Sequence, residues 1–219
     1  MNTGNFKNRL FGRTRGRSKK KIDIQDYYKN INKFKITKLD TKKKYILDIG
    51  TGYGETTIYL ANKYPDLIII ACDKYIDGNL NLIKSIKNNS IKNIYIHPGN
   101  VNEILDNNLK KQFFEKIWIF FPDPWPKKRH FKRRLITNQF LIKIYPFLKK
   151  NGEILIATDS SSYTHFILKA LYDSKKYYDW INQNSVHLSP KDYFSLETKF
   201  YKKAIISGRK PSLFILKKI

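Results

Sequence analysis

Short, nearly continuous apolar runs alternate with longer amphipathic segments from about residue 45 onward. The runs predict strands at 45–50, 67–73, 93–99, 116–122, 152–159 and 212–218. The segments between them predict helices near 55–64, 77–88, 102–114, 133–149 and 160–175. Apolar strands without polar alternation are buried on both faces. The pattern therefore predicts an α/β fold, in which a mostly parallel sheet has helices on both faces.

A glycine-rich stretch, "DIGTGYGE", follows the first predicted strand. It places Asp48 before Gly50, Gly52 and Gly54, and glycines let a backbone turn tightly and approach a ligand closely. The G-x-G-x-G spacing differs from the G-x-G-x-x-G of dinucleotide folds. An acid beneath the loop would repel a pyrophosphate but suits a ligand with an ammonium or a sulfonium, and S-adenosylmethionine (SAM) carries both. The alternative is a plain strand-to-helix turn.

Polar residues also follow the next two predicted strands, at the sheet edge where ligands bind in such folds. Asp73 lies 23 residues beyond Gly50, near the interval at which Rossmann-like folds place an acid on the ribose hydroxyls. Asn100 ends the stretch "HPGN", and its amide suits an adenine edge. Each residue is also a good helix N-cap, which is the alternative for both.

The fourth predicted strand ends in "FFPDPWPKKRHFKRR". Pro122 and Pro124 restrict the backbone on both sides of Asp123, so the carboxylate is held at the rim of the expected pocket. Six of the eight residues from Lys127 to Arg134 are lysine or arginine, which predicts that this run binds phosphates. The alternatives are a rigid loop with a packed tryptophan and a solvated helix face.

Charge and cysteine content limit the class of protein further. The 219 residues carry a formal net charge of +25, which is typical of a protein that meets a polyanion; AT-rich coding, which inflates lysine, is the alternative. Residues 1–40 are predicted to be a basic, partly disordered arm, and 41–219 the folded domain. One cysteine excludes an intrachain disulfide, no apolar run approaches the roughly 18 residues of a membrane span, and the four histidines lack metal-ligand spacing. We expect a cytoplasmic protein without metal or membrane, and with no obligate protein partner.

These motifs together resemble the bacterial tRNA (guanine-N7)-methyltransferases. The resemblance rests on "FFPDPWPKKRHFKRR", with "DIGTGYGE" upstream and "TD" and "TKF" downstream, and it runs from about Lys44 onward. It implies a Rossmann-like SAM-dependent methyltransferase fold with a seven-stranded, mostly parallel sheet. It also implies methylation of N7 of the variable-loop guanine, guanine 46, of tRNA.

The resemblance also implies roles for particular residues. Asp123 is the implied catalytic residue. The positions implied to contact SAM are Asp48, Gly50, Gly52, Gly54, Asp73, Asn100 and Asp123. The positions implied to contact tRNA are Lys127, Asp159, Thr198, Lys199, Phe200 and Tyr201.

Three positions depart from the family pattern. Asn100 stands where the family usually has an acid, and Tyr201 stands where it usually has glutamate, so a substrate carboxylate is replaced by a phenol. Asp48 stands where glutamate is frequent, which shortens the reach of the same charge. Two other classes remain open: a non-catalytic tRNA-binding protein of methyltransferase fold, and a nicotinamide-dependent oxidoreductase.

Overall fold

A seven-stranded sheet forms the centre of the molecule. The computed structural model describes Thr14 and the ranges 24–36, 39–106, 109–182 and 189–219. The spatial order of the strands is β3-β2-β1-β4-β5-β7-β6. Strands β1 to β5 run parallel, whereas β7 is antiparallel to both β5 and β6. The strands are β1 (Tyr45–Ile49), β2 (Ile68–Cys72), β3 (Ile94–His97), β4 (Phe114–Phe120), β5 (Leu148–Thr158), β6 (Tyr178–Trp180) and β7 (Ser212–Lys218).

Helices cover both faces of this sheet. They are α1 (Ile24–Ile31), α2 (Glu55–Lys63), α3 (Ile76–Asn88), α4 (Val101–Asp106), α5 (Asn138–Ile144), α6 (Ser161–Asp173), α7 (Pro190–Phe194) and α8 (Lys199–Ile206). Two 3₁₀ turns, Lys128–Arg133 and Tyr145–Phe147, precede and follow α5. One hydrophobic cluster lies between the sheet and α4, α5 and α6. The other lies between the opposite face and α1, α2 and α3. The predicted α/β fold class is therefore confirmed.

The central strand β4 explains why the strand pattern is apolar without alternation. Ile117 and Ile119 belong to the first cluster, while Trp118 and Phe120 belong to the second. Side chains alternate across a strand, so a strand covered on both faces needs apolar residues at every position. Because β1, β2, β3 and β4 are parallel neighbours, the loops that follow them open at one edge of the sheet.

Several elements differ from the predicted ones. Strand β6 was not predicted, because three residues within a polar stretch give no usable periodicity. The helix predicted over 102–114 is shorter in the structure. Helix α4 ends at Asp106, and Phe114 already belongs to β4. The predicted helix 133–149 is in fact α5 flanked by the two 3₁₀ turns.

Part of the predicted arm packs on the body. Within 1–40, helix α1 buries Tyr27 and Ile31, and the Nδ2 of Asn79 on α3 donates to the Tyr27 hydroxyl over 3.4 Å. This part of the arm packs on the body because two apolar side chains one helical turn apart supply a packing face. The rest of the predicted arm, apart from Thr14, Leu39 and Asp40, lies outside the described residues.

Candidate functional site

The glycine loop joins β1 to α2 at the edge where the parallel strands end. Gly50, Gly52 and Gly54 have φ values of 79°, 54° and 88°, in the left-handed region that favours glycine. A Cβ on Gly54 would lie 2.7 Å from Cδ1 of Leu82, whereas one on Gly50 would meet nothing within 4 Å. The loop thus packs tightly against α3 at its end and leaves space above its start.

Asp73 closes this loop from the neighbouring strand. Its Oδ2 accepts from the amide of Gly52 over 2.9 Å, and its Oδ1 accepts from the amide of Tyr75 over 2.9 Å. Burial raises the pKa of Asp73 despite these hydrogen bonds, and the charge of Asp123 raises it further. The carboxylate that the sequence assigns to a ribose therefore also orders the glycine loop.

Asp48 lies beneath the loop. Its side chain is 1% exposed, and Oδ2 accepts from the Thr57 hydroxyl on α2 over 2.6 Å. Burial raises the pKa of Asp48 to about 7, the hydrogen bond from Thr57 opposes that shift, and the Asp73 charge adds to it. A cation above the loop would favour the ionised form of both carboxyls.

Asn100 follows β3 and begins α4. Its Oδ1 accepts from the amide of Asn102 over 2.9 Å, and its own amide donates to Oε1 of Glu103 over 3.2 Å. This is the N-cap arrangement that the sequence left open as the alternative. The residue nevertheless lies at the same sheet edge as Asp73, because β2 and β3 pair in register up to Cys72 and His97.

The proline corner follows β4. Phe121 and Trp125 have φ values of 52° and 44°, which non-glycine residues rarely adopt. Between them Asp123 is exposed. Its charge raises the pKa of Asp73. Strand β1, with its glycine loop, lies between β2 and β4 in the sheet, so the carboxylates that follow β2 and β4 lie at the same edge of the sheet.

The basic run does not form one surface. Its first three cations and Lys132 are exposed, Arg133 is partly buried, and Arg134 is 4% exposed. The guanidinium carbon of Arg133 lies 5.0 Å from the centre of the Trp125 ring. The interpretation of the run as phosphate-binding therefore applies to four exposed residues: Lys127, Lys128, Arg129 and Lys132.

Two of the predicted tRNA positions, Asp159 and Lys199, are half-exposed and exposed, respectively. Oδ2 of Asp159 accepts from Nε of Arg209 over 2.7 Å. The amide of Lys199 donates to Oε2 of Glu55 over 2.6 Å, which ties the start of α8 to the start of α2.

The neighbouring positions in "TKFY" divide between the rim and the core. Thr198 is the N-cap of α8 and accepts from the amide of Tyr201 over 3.1 Å. Phe200 is 47% exposed, but Tyr201 is 8% exposed. The phenol expected to stand in for a substrate carboxylate therefore points away from solvent.

Sequence reasoning missed an aromatic face beside the loop. The rings of Phe121 and Phe200 lie 6.4 Å apart between centroids, inclined by 22°. A Cβ on Gly52 would lie 3.5 Å from the Phe200 ring. The hydroxyl of Tyr53 on the glycine loop lies 3.0 Å from that of Tyr75, the residue before α3. The repeated Phe before the proline corner was the only signal for Phe121.

Two further observations concern metals and membranes. In the part of the chain that the structure describes, no three His, Cys, Asp or Glu side chains are grouped so that they could hold a metal ion. Within the same ranges, no helix combines the length and the apolar character needed to cross a bilayer.

Comparison with known proteins relates this geometry to a family. The family model described as "Putative methyltransferase" matches residues 42–212. The tRNA (guanine-N(7)-)-methyltransferase of Neisseria meningitidis serogroup C is 37% identical over 155 residues, 71% of this chain and 63% of that protein. The protein of the same name from Buchnera aphidicola subsp. Schizaphis graminum is 34% identical over 224 residues, covering 97% and 92%. That from Wolbachia pipientis is 32% identical over 195 residues, covering 89% and 82%.

Solved structures agree with the fold. An antibiotic-related methyltransferase superposes with a TM-score of 0.54 at 18% identity, over 91% of this chain and 96% of that chain. An rRNA methylase from Streptococcus thermophilus gives a TM-score of 0.54 at 13% identity, over 91% and 98%. At these identities the likeness concerns the fold alone.

The chain spans just under two thirds of the length of the Neisseria relatives that it matches.

Proposed function

Because the chain belongs to the tRNA (guanine-N(7)-)-methyltransferase family, we propose that it transfers a methyl group from S-adenosylmethionine to N7 of a guanine in the variable loop of tRNA, guanine 46. One observation carries the proposal. The exposed carboxylate of Asp123 follows β4 at the sheet edge where the glycine loop and Asp73 follow the neighbouring strands β1 and β2. Its charge raises the pKa of Asp73, and the exposed cations begin four residues later, at Lys127. The site therefore has a cofactor side, a base side and a phosphate side.

The cofactor side fits SAM. Open space above Gly50 admits a ligand against the loop backbone. Asp73 accepts from the backbone amides of Gly52, Tyr75 and Lys74, and a carboxylate has about four acceptor sites, so capacity for a ribose hydroxyl remains. Asp48 acts from below as a buried counter-charge, and Asn100 offers its amide to adenine from the end of β3. When bound, SAM supplies an electrophilic methyl group on a sulfonium.

The base side accounts for the acidic corner. Guanine N7 has a free lone pair at neutral pH, so the enzyme has no proton to remove before attack. It must instead align N7 with the methyl group and stabilise the positive charge that spreads into the purine. Asp123 accepts from N1–H and N2–H₂ on the Watson–Crick edge of guanine and opposes that charge. Asp123 also borders the cofactor, which gives it contacts with both reactants.

The aromatic face positions the extracted base. Single-stranded and looped bases bind to proteins by stacking on aromatic rings, and extraction from a stack is the usual route to chemistry on a base. Phe200 and Phe121 present their rings beside the glycine loop, so the guanine stacks there while Asp123 holds its edge. Thr198 and the buried Tyr201 set the start of α8, and with it the place of the Phe200 ring.

The phosphate side holds the tRNA backbone. Lys127 and the three other exposed cations of the run lie beside the corner, and Lys199 lies across the loop with its Nζ 4.6 Å from the Tyr53 ring centre. Asp159, paired with Arg209, contributes to the substrate side at the end of β5. We assign the methyltransferase domain to 41–219 and additional RNA contacts to the basic region 1–40. The protein acts on tRNA in the cytoplasm.

The test is methyl transfer to an unmodified tRNA transcript, followed by mapping of the modified base. We expect one methyl group at N7 of the variable-loop guanine. A matched transcript with 7-deazaguanine at that position keeps the Watson–Crick edge but has carbon in place of N7. It should bind with similar affinity and accept no methyl group. Binding of both transcripts without transfer to either would favour a non-catalytic tRNA-binding protein, and transfer at another base would contradict the proposed substrate.

A further inference from the structure

Arg134 is set apart from the other cations of the basic run by its burial. It is 4% exposed, while Lys127, Lys128, Arg129 and Lys132 are exposed. A guanidinium enclosed to this degree is not placed to release counterions from an RNA backbone. Its role must therefore follow from the groups that surround it.

The guanidinium of Arg134 joins the proline corner to the start of helix α6. Its Nε donates to the carbonyl of Pro124 over 2.8 Å. Its Nη1 donates to the carbonyl of Ser162 over 3.0 Å, and its Nη2 donates to the Ser162 hydroxyl over 3.0 Å. Pro124 immediately follows Asp123, and Ser162 lies in the first turn of α6, three residues after Asp159. One side chain thus links the corner after β4 to the start of α6.

Three aromatic rings surround the same guanidinium. Its central carbon lies 3.8 Å from the centre of the Phe131 ring, 4.9 Å from that of Tyr163 and 5.1 Å from that of Phe166. Stacking of this kind, combined with a rigid fork of donors, fixes both the position and the orientation of an arginine. The flexible ammonium of lysine would fix neither the position nor the orientation of the side chain.

The corner that Arg134 contacts has an unusual backbone. Phe121 and Trp125 both adopt positive φ, and such conformations persist where the surroundings fix them. The Pro124 carbonyl belongs to the peptide that joins Pro124 to Trp125, so this hydrogen bond opposes rotation of the backbone immediately after Asp123.

We propose that Arg134 is a positioning residue for the methyl-transfer reaction. It ties the Pro124 carbonyl to the start of α6 and thereby holds the Asp123 carboxylate in its productive place. The inference rests on the proposed function. It separates Arg134 from the phosphate-binding cations beside it. Displacement of a catalytic group by about 1 Å costs about 100-fold in rate, so the tie affects the chemical step without touching substrate.

Arg134→Gln and Arg129→Gln distinguish positioning from phosphate contact. Both remove one charge, and Arg129 is the exposed, matched control. Loss of a phosphate contact should make the log–log dependence of tRNA affinity on salt shallower by about 0.7–0.9. We expect that change for Arg129→Gln only. For Arg134→Gln we expect the wild-type salt slope and wild-type SAM affinity, with a single-turnover rate at saturating tRNA and SAM at least about 10-fold lower. A shallower slope for Arg134→Gln, or a wild-type rate, would overturn the inference.

Two further variants keep the test decisive if Arg134→Gln fails to fold. Arg134→Lys retains the charge but not the fork, and should also slow single-turnover transfer at least about 10-fold. Ser162→Ala removes only the hydroxyl acceptor of Nη2, and should slow transfer about threefold without a change in tRNA affinity. Rates are measured well below the thermal midpoint of each folded variant, so that lower stability alone does not change them. Wild-type rates for both would overturn the inference, whereas absence of transfer by the wild-type protein would refute the proposed function instead.

Discussion

The buried carboxyl of Asp48 makes stability depend on pH in a defined direction. Its pKa is about 7 in the folded, ligand-free protein, against 3.8 for the unperturbed side chain. Between these values the folded state binds more protons than the unfolded state. The free energy of unfolding therefore falls as pH rises through this window and levels off above pH 7.

The size of the effect follows from the same two values. Integration from pH 5 to pH 7 for a single group gives a loss of about 2 kcal/mol. Asp48→Asn removes this titration but keeps an oxygen that can accept from Thr57. The cost of burying the new amide is the same at every pH. The difference in stability between the two proteins should therefore change by about 2 kcal/mol in favour of Asp48→Asn on going from pH 5 to pH 7.

Urea unfolding of the SAM-free proteins at pH 5, 6, 7 and 8 measures this difference. Asp66→Asn, at an exposed aspartate just before β2, controls for the removal of one negative charge from a protein of net charge +25. Parallel stability–pH curves for wild type and Asp48→Asn would refute the reasoning, because they would mean that the buried carboxyl does not hold its proton near neutrality.

Three other substitutions test the remaining parts of the site. Asp123→Asn should lower the single-turnover methylation rate by about 30- to 5,000-fold, or about 2–5 kcal/mol, with little change in SAM affinity; a rate within about threefold of wild type would contradict the role of this carboxylate. Asp73→Ala should weaken SAM binding by about 1.5–3 kcal/mol, and calorimetric titration giving wild-type affinity would remove Asp73 from the site. Gly54→Ala should destabilise the protein by about 1–3 kcal/mol, because φ is 88° and the new Cβ would lie 2.7 Å from Leu82; an unchanged urea midpoint would show that the loop yields without cost.

The strands were predictable because burial on both faces leaves an unmistakable apolar run. The predicted strand 212–218 coincides with β7 (Ser212–Lys218), and the other predicted runs contain or overlap the observed strands. The short edge strand β6 (Tyr178–Trp180) was missed, since three residues are too few to show a periodic pattern. Helix α1 was hidden for a different reason: its packing face consists of Tyr27 and Ile31 within a strongly charged region.

At the candidate site, the sequence indicates which residue types follow the strands, but not the directions of their side chains. A glycine loop, an acid after the second strand and a proline-flanked acid were recognisable because each has a local chemical reason. Arg134 was indistinguishable from Arg133 and Lys132, since only the approach of α6 decides which cation is enclosed. Tyr201 was assigned to substrate by its place after "TKF", but helix α8 turns that position towards the core.

The position of β7 has a consequence for synthesis of the protein. Strand β7 follows β6 in sequence, yet it lies between β5 and β6 in space. While a ribosome is still adding residues before Ser212, the growing chain can pair β1 to β5 but leaves the outer edge of β5 unpaired. Open strand edges template association with other chains, so slow translation or premature termination in this region would expose the nascent protein to aggregation until β7 emerges.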